Sequence, residues 1–468
     1  MDAACGQFPH EHFEELPQDE QCLFLNVTAP SSSQSSSSLP VLVFLHGGAF
    51  FLGSASRPYY SPLNLLSHSL HTNRPFILVS VNYRLGALGF LHSPHASSLV
   101  PPNNGLHDQL RAFEWIHSHI GGFGGDSSRI TALGQSAGSE SLSLHTISSN
   151  PMPLFKQMIC LSGSPVTMPC KTPPEHQTNF LTLAEKAGIK NIPNKTSTAI
   201  AEEIIKAPIS TIRDLSFVGA PCSSSEVLPY DKPTMALARS KPVSSVPWLQ
   251  RAIYSSATYD GGVSYNILHS SKKDNASTFI ENVRSQMSDS GAEELLSLYE
   301  IKENDGDEDT LRKICQFESD IGFWAGSWAQ VIGSNSKERY FQIFDLKNPF
   351  DKGGALPKEK FATHTWDIVS LLGAYDEMLD EKKLGVVKEW RDRILRFVVE
   401  EDAPWELWHD EDGKALRVAD QGVSVEEKGS YLDENEGRRK RLLAIAEKEK
   451  GEEGWDFLWE GVCRQWLD

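Results

Sequence analysis

The sequence contains no apolar run long enough to cross a lipid bilayer. Its longest apolar stretches, residues 39–45 and 76–81, have the length of a β-strand, whereas a membrane-spanning helix needs about 20 apolar residues. The first residues also lack the basic start and the apolar centre of a secretory signal peptide. The sequence therefore predicts no membrane span, and as written it places the chain in the cytosol.

Cysteine is scarce, at 7 of 468 residues, and no two cysteines have C-x-x-C spacing. So few cysteines exclude a disulfide scaffold, and without paired thiolates there is no sign of a structural zinc site. Histidines that lack neighbouring cysteines or paired carboxylates do not by themselves form a metal site. We therefore expect neither a metal ion nor another cofactor.

The chain has fewer basic than acidic residues. It contains 44 Lys and Arg residues and 62 Asp and Glu residues, which gives a formal net charge of -18. A nucleic-acid partner requires a basic surface, so this balance argues against one. The one basic run, residues 438–441, lies among glutamates and predicts a solvated helix face.

The apolar runs that are present predict a parallel sheet with helical crossovers. Residues 39–45 and 75–83 are almost uninterrupted apolar segments, which are typical of strands buried on both faces. Residues 108–120 have helical spacing of apolar side chains, and residues 129–133 predict another buried strand. This alternation predicts an α/β fold.

The segment ITALGQSAGSES, residues 130–141, contains a G-x-S-x-G pentapeptide centred on Ser136. With 34 glycines in the chain, the pentapeptide alone could be an ordinary Gly/Ser loop. Its context favours a nucleophile, because a strand precedes it, Gly134 and Gly138 leave room for a sharp turn, and residues 139–146 predict a helix. Such a turn exposes the serine hydroxyl at a helix N-terminus.

A second glycine-rich turn, HGGAF at residues 46–50, directly follows the strand at 39–45. A serine nucleophile needs backbone N–H donors for the oxyanion that forms on the substrate. The N–H groups of Gly48 and Ala49, with that of Ala137 after the serine, are the candidates for this role. By itself, HGGAF would more simply be a plain glycine turn.

Four segments together resemble the type-B carboxylesterases, an α/β-hydrolase family that includes cholinesterases, yeast lipases and fungal esterases. The segments are CLFLNV, LPVLVFLHGGAFFLGSAS, VSVNYRLGALGFL and NNGLHDQLRAFEWIHSHIGGFGGDSSRITALGQSAG. The resemblance is dense from Glu20 to Gly163, returns around His364, and is strongest toward fungal members. It implies an α/β-hydrolase fold with a mostly parallel central sheet, helices on both faces and helical insertions.

The resemblance also implies the acid and the base of a catalytic triad. In AIYSSATYDGG, Asp260 occupies the family's acid position, although Ser255 stands where the family usually has glycine. A simple Tyr-Asp-Gly-Gly turn would also fit these residues locally. In ATHTWDIVSLLG, His364 occupies the position of the family's base and is followed by Asp367.

The implied domain organisation is a single esterase domain over residues 1–468. Within it we expect a helical insertion or cap at residues 175–335 and a charged helical region at residues 385–468. The chain starts just before CLFLNV, so we expect the family's first strands to be missing and the sequence to be N-terminally incomplete. The resemblance further implies a disulfide between Cys5 and Cys22, which would suit a secreted protein and leaves the compartment open.

The sequence thus predicts a serine carboxylic-ester hydrolase that acts on a small-molecule ester through Ser136, His364 and Asp260 and an acyl-enzyme intermediate. A lipase acting on long-chain esters is one alternative, and a non-catalytic or truncated esterase-like protein is another. Phe50, Phe51 and Trp366 either line an apolar pocket or are ordinary packing residues. The oligomeric state stays open.

Overall fold

A nine-stranded sheet forms the centre of the molecule. The computed structural model describes residues 19–149, 152–213, 220–229, 231–240, 246–350 and 356–467. The strands are β1 (Leu25–Thr28), β2 (Leu39–Leu45), β3 (Ile77–Val81), β4 (Gly125–Gln135), β5 (Gln157–Leu161), β6 (Arg251–Ala257), β7 (Glu338–Asp345), β8 (Ala415–Ala419) and β9 (Gly422–Glu426). Their spatial order is β1-β3-β2-β4-β5-β6-β7-β8-β9.

The seven strands from β3 through β8 in this order run parallel, and only the two edge strands are antiparallel to their neighbours. Every residue of β3, β5, β6 and β8 is buried. Strands covered on both faces need apolar residues at successive positions, which explains the uninterrupted apolar runs. The predicted α/β fold is therefore confirmed.

Helices flank the sheet and connect its parallel strands. The α-helices are α1 (Leu63–His71), α2 (Gly86–Phe90), α3 (Asn104–His119), α4 (Ala137–Thr146), α5 (Pro173–Lys186), α6 (Ser197–Lys206), α7 (Ile209–Arg213), α8 (Met235–Arg239), α9 (Gly262–Leu268), α10 (Asn275–Gln286), α11 (Asp289–Leu298), α12 (Asp307–Glu318), α13 (Ala325–Gly333), α14 (Trp366–Leu372), α15 (Glu381–Leu395), α16 (Lys428–Leu432), α17 (Glu434–Lys450), α18 (Gly454–Asp456) and α19 (Gln465–Leu467). π-Helical turns occur at Ser319–Trp324, Arg396–Glu400 and Phe457–Arg464. Within the described ranges, none of these helices has the length and apolar character required to span a bilayer.

Two hydrophobic cores lie on the two faces of the sheet. Val41, Val43 and Leu45 of β2 pack into one core with α3, α4 and α10 to α13. Leu42 and Phe44 of the same strand pack into the other with α1, α14 and α15. This alternation follows from the two-residue side-chain period of a strand and makes the molecule a helix–sheet–helix sandwich.

The carboxyl ends of β4, β6 and β7 open toward the same edge of the sheet, because these strands are parallel. Ser136 directly follows β4, Asp260 follows β6, and His364 lies in the connection after β7. Ligand sites in α/β sheets characteristically occur at this edge. The fold thus brings together side chains that are far apart in the sequence.

Two features of the C-terminal part differ from the sequence interpretation. Strands β8 and β9 form an antiparallel hairpin within residues 385–468, a region expected to be helical. In the basic run at 438–441, the first two residues are half-buried and buried, respectively. The predicted solvated helix face is therefore wrong for Arg438 and Arg439. Both side chains pair with the fully buried carboxylate of Asp320, at 2.7 and 3.0 Å, whereas the next two basic residues are exposed.

Asp320 lies in the first π-helical turn, and Tyr299 also donates its hydroxyl to the carboxylate. Burial alone would raise the pKa of Asp320, but Arg438 and Arg439 hold it below its ordinary value. This ion pair therefore attaches α17 to the turn at residues 319–324.

We expect Asp320→Ala to lower the free energy of unfolding by about 3–5 kcal/mol, because it leaves two arginines without their buried partner. Urea denaturation measures this loss. The matched control is Asp309→Ala, which removes an exposed i,i+4 pair with Lys313 and should cost less than about 1 kcal/mol. Equal losses in the two variants would contradict the role given to Asp320.

Candidate active site

Ser136 lies on a sharp turn between β4 and α4, with φ 56° and ψ −127°. A serine rarely adopts a positive φ, and such strain persists only where the surroundings impose it. A Cβ on Gly134 would lie 2.4 Å from Gly138 O, and a Cβ on Gly138 would lie 2.1 Å from Leu45 O. Both glycines of the pentapeptide are therefore sterically required.

Asp260 and His364 are in direct contact. His364 Nδ1 lies 2.8 Å from Asp260 Oδ1, and Ala257 N donates to Asp260 Oδ2 at 2.8 Å. Both side chains are buried. A carboxylate at Nδ1 places the ring proton there, so Nε2 is left as the basic nitrogen.

The residue before the serine, Gln135, contacts the imidazole of His364. Gln135 Nε2 is 3.3 Å from His364 Nε2, while Ser136 Oγ has no hydrogen-bond partner among the described residues. Catalytic hydrogen bonds are often long or absent in structures without substrate and form when substrate binds. The structure thus brings Asp260 and His364 into contact. Gln135, the neighbour of Ser136 in the sequence, contacts the other side of the same imidazole.

The HGGAF turn lies against this serine. A Cβ on Gly47 would be 2.7 Å from Ser136 Cβ, so the turn approaches the serine as closely as glycine permits. Gly48, Ala49 and Phe50 all have positive φ, at 117°, 54° and 59°, and Gly48 O accepts from Phe51 N. Ala137, the third residue with a candidate oxyanion amide, is the first residue of α4.

A second buried carboxyl group, which sequence reasoning gave no role, belongs to the site. Ser162 Oγ donates to Asp367 Oδ2 at 2.8 Å, and Ala257 N also lies 3.2 Å from Ser162 Oγ. Burial and the charge of Asp260 raise the pKa of Asp367 to about 6, against the opposing effects of His364 and the hydrogen bond from Ser162. The sequence feature that marks Asp367 is its position three residues after His364, in the segment ATHTWDIVSLLG.

The aromatic residues near the site differ from those singled out in the sequence. Phe50 and Trp366 are fully buried, and their rings pack 4.8 Å from Phe90 and 5.5 Å from Phe350, which favours the packing interpretation for both. The ring beside His364 is that of Phe323, and the two ring centroids lie 5.0 Å apart. Phe323 belongs to the π-helical turn at 319–324, and no sequence motif marks it.

Two other expectations concern cysteines and metals. Cys5 lies outside the described residues, so its disulfide with Cys22 stays a prediction. In the part of the chain that the structure describes, no three His, Cys, Asp or Glu side chains are grouped to hold a metal ion.

Comparison with protein families matches residues 2–422 to the model of the carboxylesterase family. The matched range includes Ser136, Asp260 and His364 and ends at the first residue of β9.

Individual relatives have esterase and lipase names. The para-nitrobenzyl esterase of Bacillus subtilis (strain 168) is 37% identical over 197 residues, which are 42% of this chain and only 38% of that protein. Lipase 1 of Yarrowia lipolytica (strain CLIB 122 / E 150) is 27% identical over 456 residues, 96% of this chain and 84% of that protein. A solved structure of a PNB esterase has a TM-score of 0.66 at 22% identity and covers 93% of this chain and 88% of its own. This last likeness shows the α/β-hydrolase fold.

We expect Gly138→Ala to destabilise the protein by at least about 3 kcal/mol, because the new methyl group overlaps the Leu45 backbone. Gly121→Ala is the control, since a Cβ there meets nothing within 4 Å. Urea denaturation compares the two variants, and equal stability would refute the steric argument.

The raised pKa of Asp367 predicts a pH-dependent effect of Asp367→Asn on stability. Between the ordinary value of 3.8 and about 6 the folded protein holds a proton that the unfolded chain has lost, so this group makes the wild type less stable as pH rises. The asparagine variant has no titrating group at this position, so it does not lose stability in this way as pH rises. Its free energy of unfolding relative to wild type should therefore increase by about 2 kcal/mol between pH 4 and pH 7.

Asp345→Asn is the control for this series. Burial tends to raise the pKa of Asp345, but Lys347 and Arg417 hold it below its ordinary value, so it titrates below pH 4. Denaturant unfolding at each pH should show no increase for this variant. A pH-independent difference for Asp367→Asn would show that Asp367 does not titrate in this range.

Proposed function

The chain belongs to the carboxylesterase family, and we propose on that premise that it is a serine hydrolase of carboxylic esters, with Ser136 as nucleophile, His364 as base and Asp260 as acid. One observation carries the proposal: the 2.8 Å contact between Asp260 and His364 at the sheet edge where the Ser136 turn also lies. That contact gives an imidazole whose free nitrogen faces the segment containing the serine.

In the proposed reaction, His364 Nε2 takes the proton of Ser136 Oγ as the oxygen attacks the ester carbonyl. Asp260 stabilises the resulting imidazolium. The N–H groups of Gly48, Ala49 and Ala137 are the proposed donors to the oxyanion, and each such donor typically contributes about 10²–10³-fold in rate. His364 then protonates the leaving alcohol, and water attacks the acyl-enzyme in the same way to release the carboxylic acid.

The proposed substrates are small or lipid-like carboxylic esters. The name of the para-nitrobenzyl esterase supports small esters. Lipase activity on long-chain esters is the second candidate, because the Yarrowia lipolytica lipase matches 96% of this chain. Comparing hydrolysis of soluble and micellar esters separates the two, since a lipase prefers the micellar form. The joint presence of serine, base and acid supports an enzyme over a non-catalytic relative.

We expect the recombinant chain to hydrolyse p-nitrophenyl butyrate and to be labelled by a fluorophosphonate at Ser136. Ser136→Ala should abolish labelling and lower kcat/KM by at least about 10⁴-fold, because the nucleophile is lost. Ser141→Ala is the control, as it removes another buried hydroxyl of α4 that donates to Ala137 O. Folded wild type that is not labelled, or labelling that survives in Ser136→Ala, would reject the proposal.

A further inference from the structure

Gln135 occupies a confined position between the HGGAF turn and the candidate base. Its side chain is 1% exposed, and its Nε2 lies 3.3 Å from His364 Nε2. At its other end, Gln135 Oε1 lies 2.7 Å from the point where a Cβ on Gly47 would be. The amide group therefore lies between the turn and the imidazole.

The direction of this contact follows from the other side of the ring. Because Nδ1 faces the Asp260 carboxylate, the proton of the neutral imidazole lies on Nδ1. Nε2 then has only a lone pair, and the Gln135 amide donates to it. This lone pair is also the one that must take the proton of Ser136 in the proposed reaction.

We propose that Gln135 is a positioning residue that holds the neutral His364 ring with Nε2 toward the Ser136 turn; this inference rests on the proposed function. Before substrate binds, the amide N–H of Gln135 donates to Nε2. When substrate binds, Ser136 Oγ takes this place at Nε2, and the N–H formed by proton transfer stays directed at the reacting oxygens. An uncharged amide can hold the lone pair of Nε2 without taking its proton.

The neutral amide also affects the pH range in which the base works. Among the described residues, the titratable groups found next to His364 are the carboxyls of Asp260, after β6, and Asp367, on α14, while Gln135 and Phe323 contribute no charge. A carboxylate at position 135 would add a further negative charge next to Nε2 and favour the protonated ring. The glutamine thus keeps the ring available as a base at lower pH than a glutamate would.

The test compares Gln135→Glu and Gln135→Met with wild type in p-nitrophenyl butyrate hydrolysis from pH 5 to pH 9. The glutamate should move the acidic limb of kcat/KM to higher pH by about one unit or more. The methionine keeps the volume but loses the hydrogen bond, and it should lower kcat about tenfold with little change in KM.

Gln109 provides a matched control. It is also a fully buried glutamine bonded to a histidine, with Oε1 2.8 Å from His145 Nε2, and its amide donates to Ser141 on α4. Gln109→Glu and Gln109→Met should leave the acidic limb and the ratio of kcat to KM unchanged. A purely structural role for Gln135 predicts the same behaviour for both positions.

A second readout does not depend on turnover. NMR titration of the His364 ring protons should give a higher midpoint pH in Gln135→Glu than in wild type. Coincident midpoints and coincident acidic limbs in these two proteins, or an equal displacement in Gln109→Glu, would overturn the role of Gln135. If wild type instead shows no Ser136-dependent turnover, the proposed function is wrong, and the NMR comparison still decides whether the amide acts on the ring.

Discussion

The site depends above all on how closely backbone segments approach one another beneath Ser136. A Cβ on Gly138 would lie 2.1 Å from Leu45 O, and a Cβ on Gly163 would lie 2.3 Å from Ser136 O. At these contacts the backbone segments at the ends of β2, β4 and β5 pack so closely that no side chain fits between them. Backbone sterics, rather than any single hydrogen bond, therefore determine where the serine hydroxyl stands and where α4 begins.

Around that turn, the charged groups are buried and held by specific donors. Asp260 contacts the His364 imidazole, Asp367 lies near enough for its charge to interact with that ring, and the Ala257 amide and the Ser162 hydroxyl donate to these two carboxyl groups. Water cannot stabilise these carboxyl groups, so each depends on the hydrogen bonds that the fold provides. The orientation of His364 is consequently a property of the network and not of the histidine alone.

The sheet could be predicted from the sequence because strands buried on both faces need continuous apolar residues, and the run at 39–45 coincides with β2. Ser136 could be found because its turn is contiguous in the sequence, whereas Asp260 and His364 were identified through the family resemblance. Phe323 and Asp320 could not be found in either way. Their roles come from contacts with distant residues, such as Arg438, 118 positions after Asp320, and no local pattern encodes such a pairing.

The π-helical turn that carries Phe323 is held in place from far along the chain. Arg438 and Arg439 pair with its Asp320, and the Trp459 ring packs so closely on Gly322 that a Cβ there would lie 2.5 Å away. A ribosome makes these later residues only after Ser136, Asp260 and His364 are already outside or in transit. A growing chain therefore possesses its candidate reactive groups before it possesses the residues that fix the Phe323 turn beside His364, and this turn is among the last parts of the site to be secured.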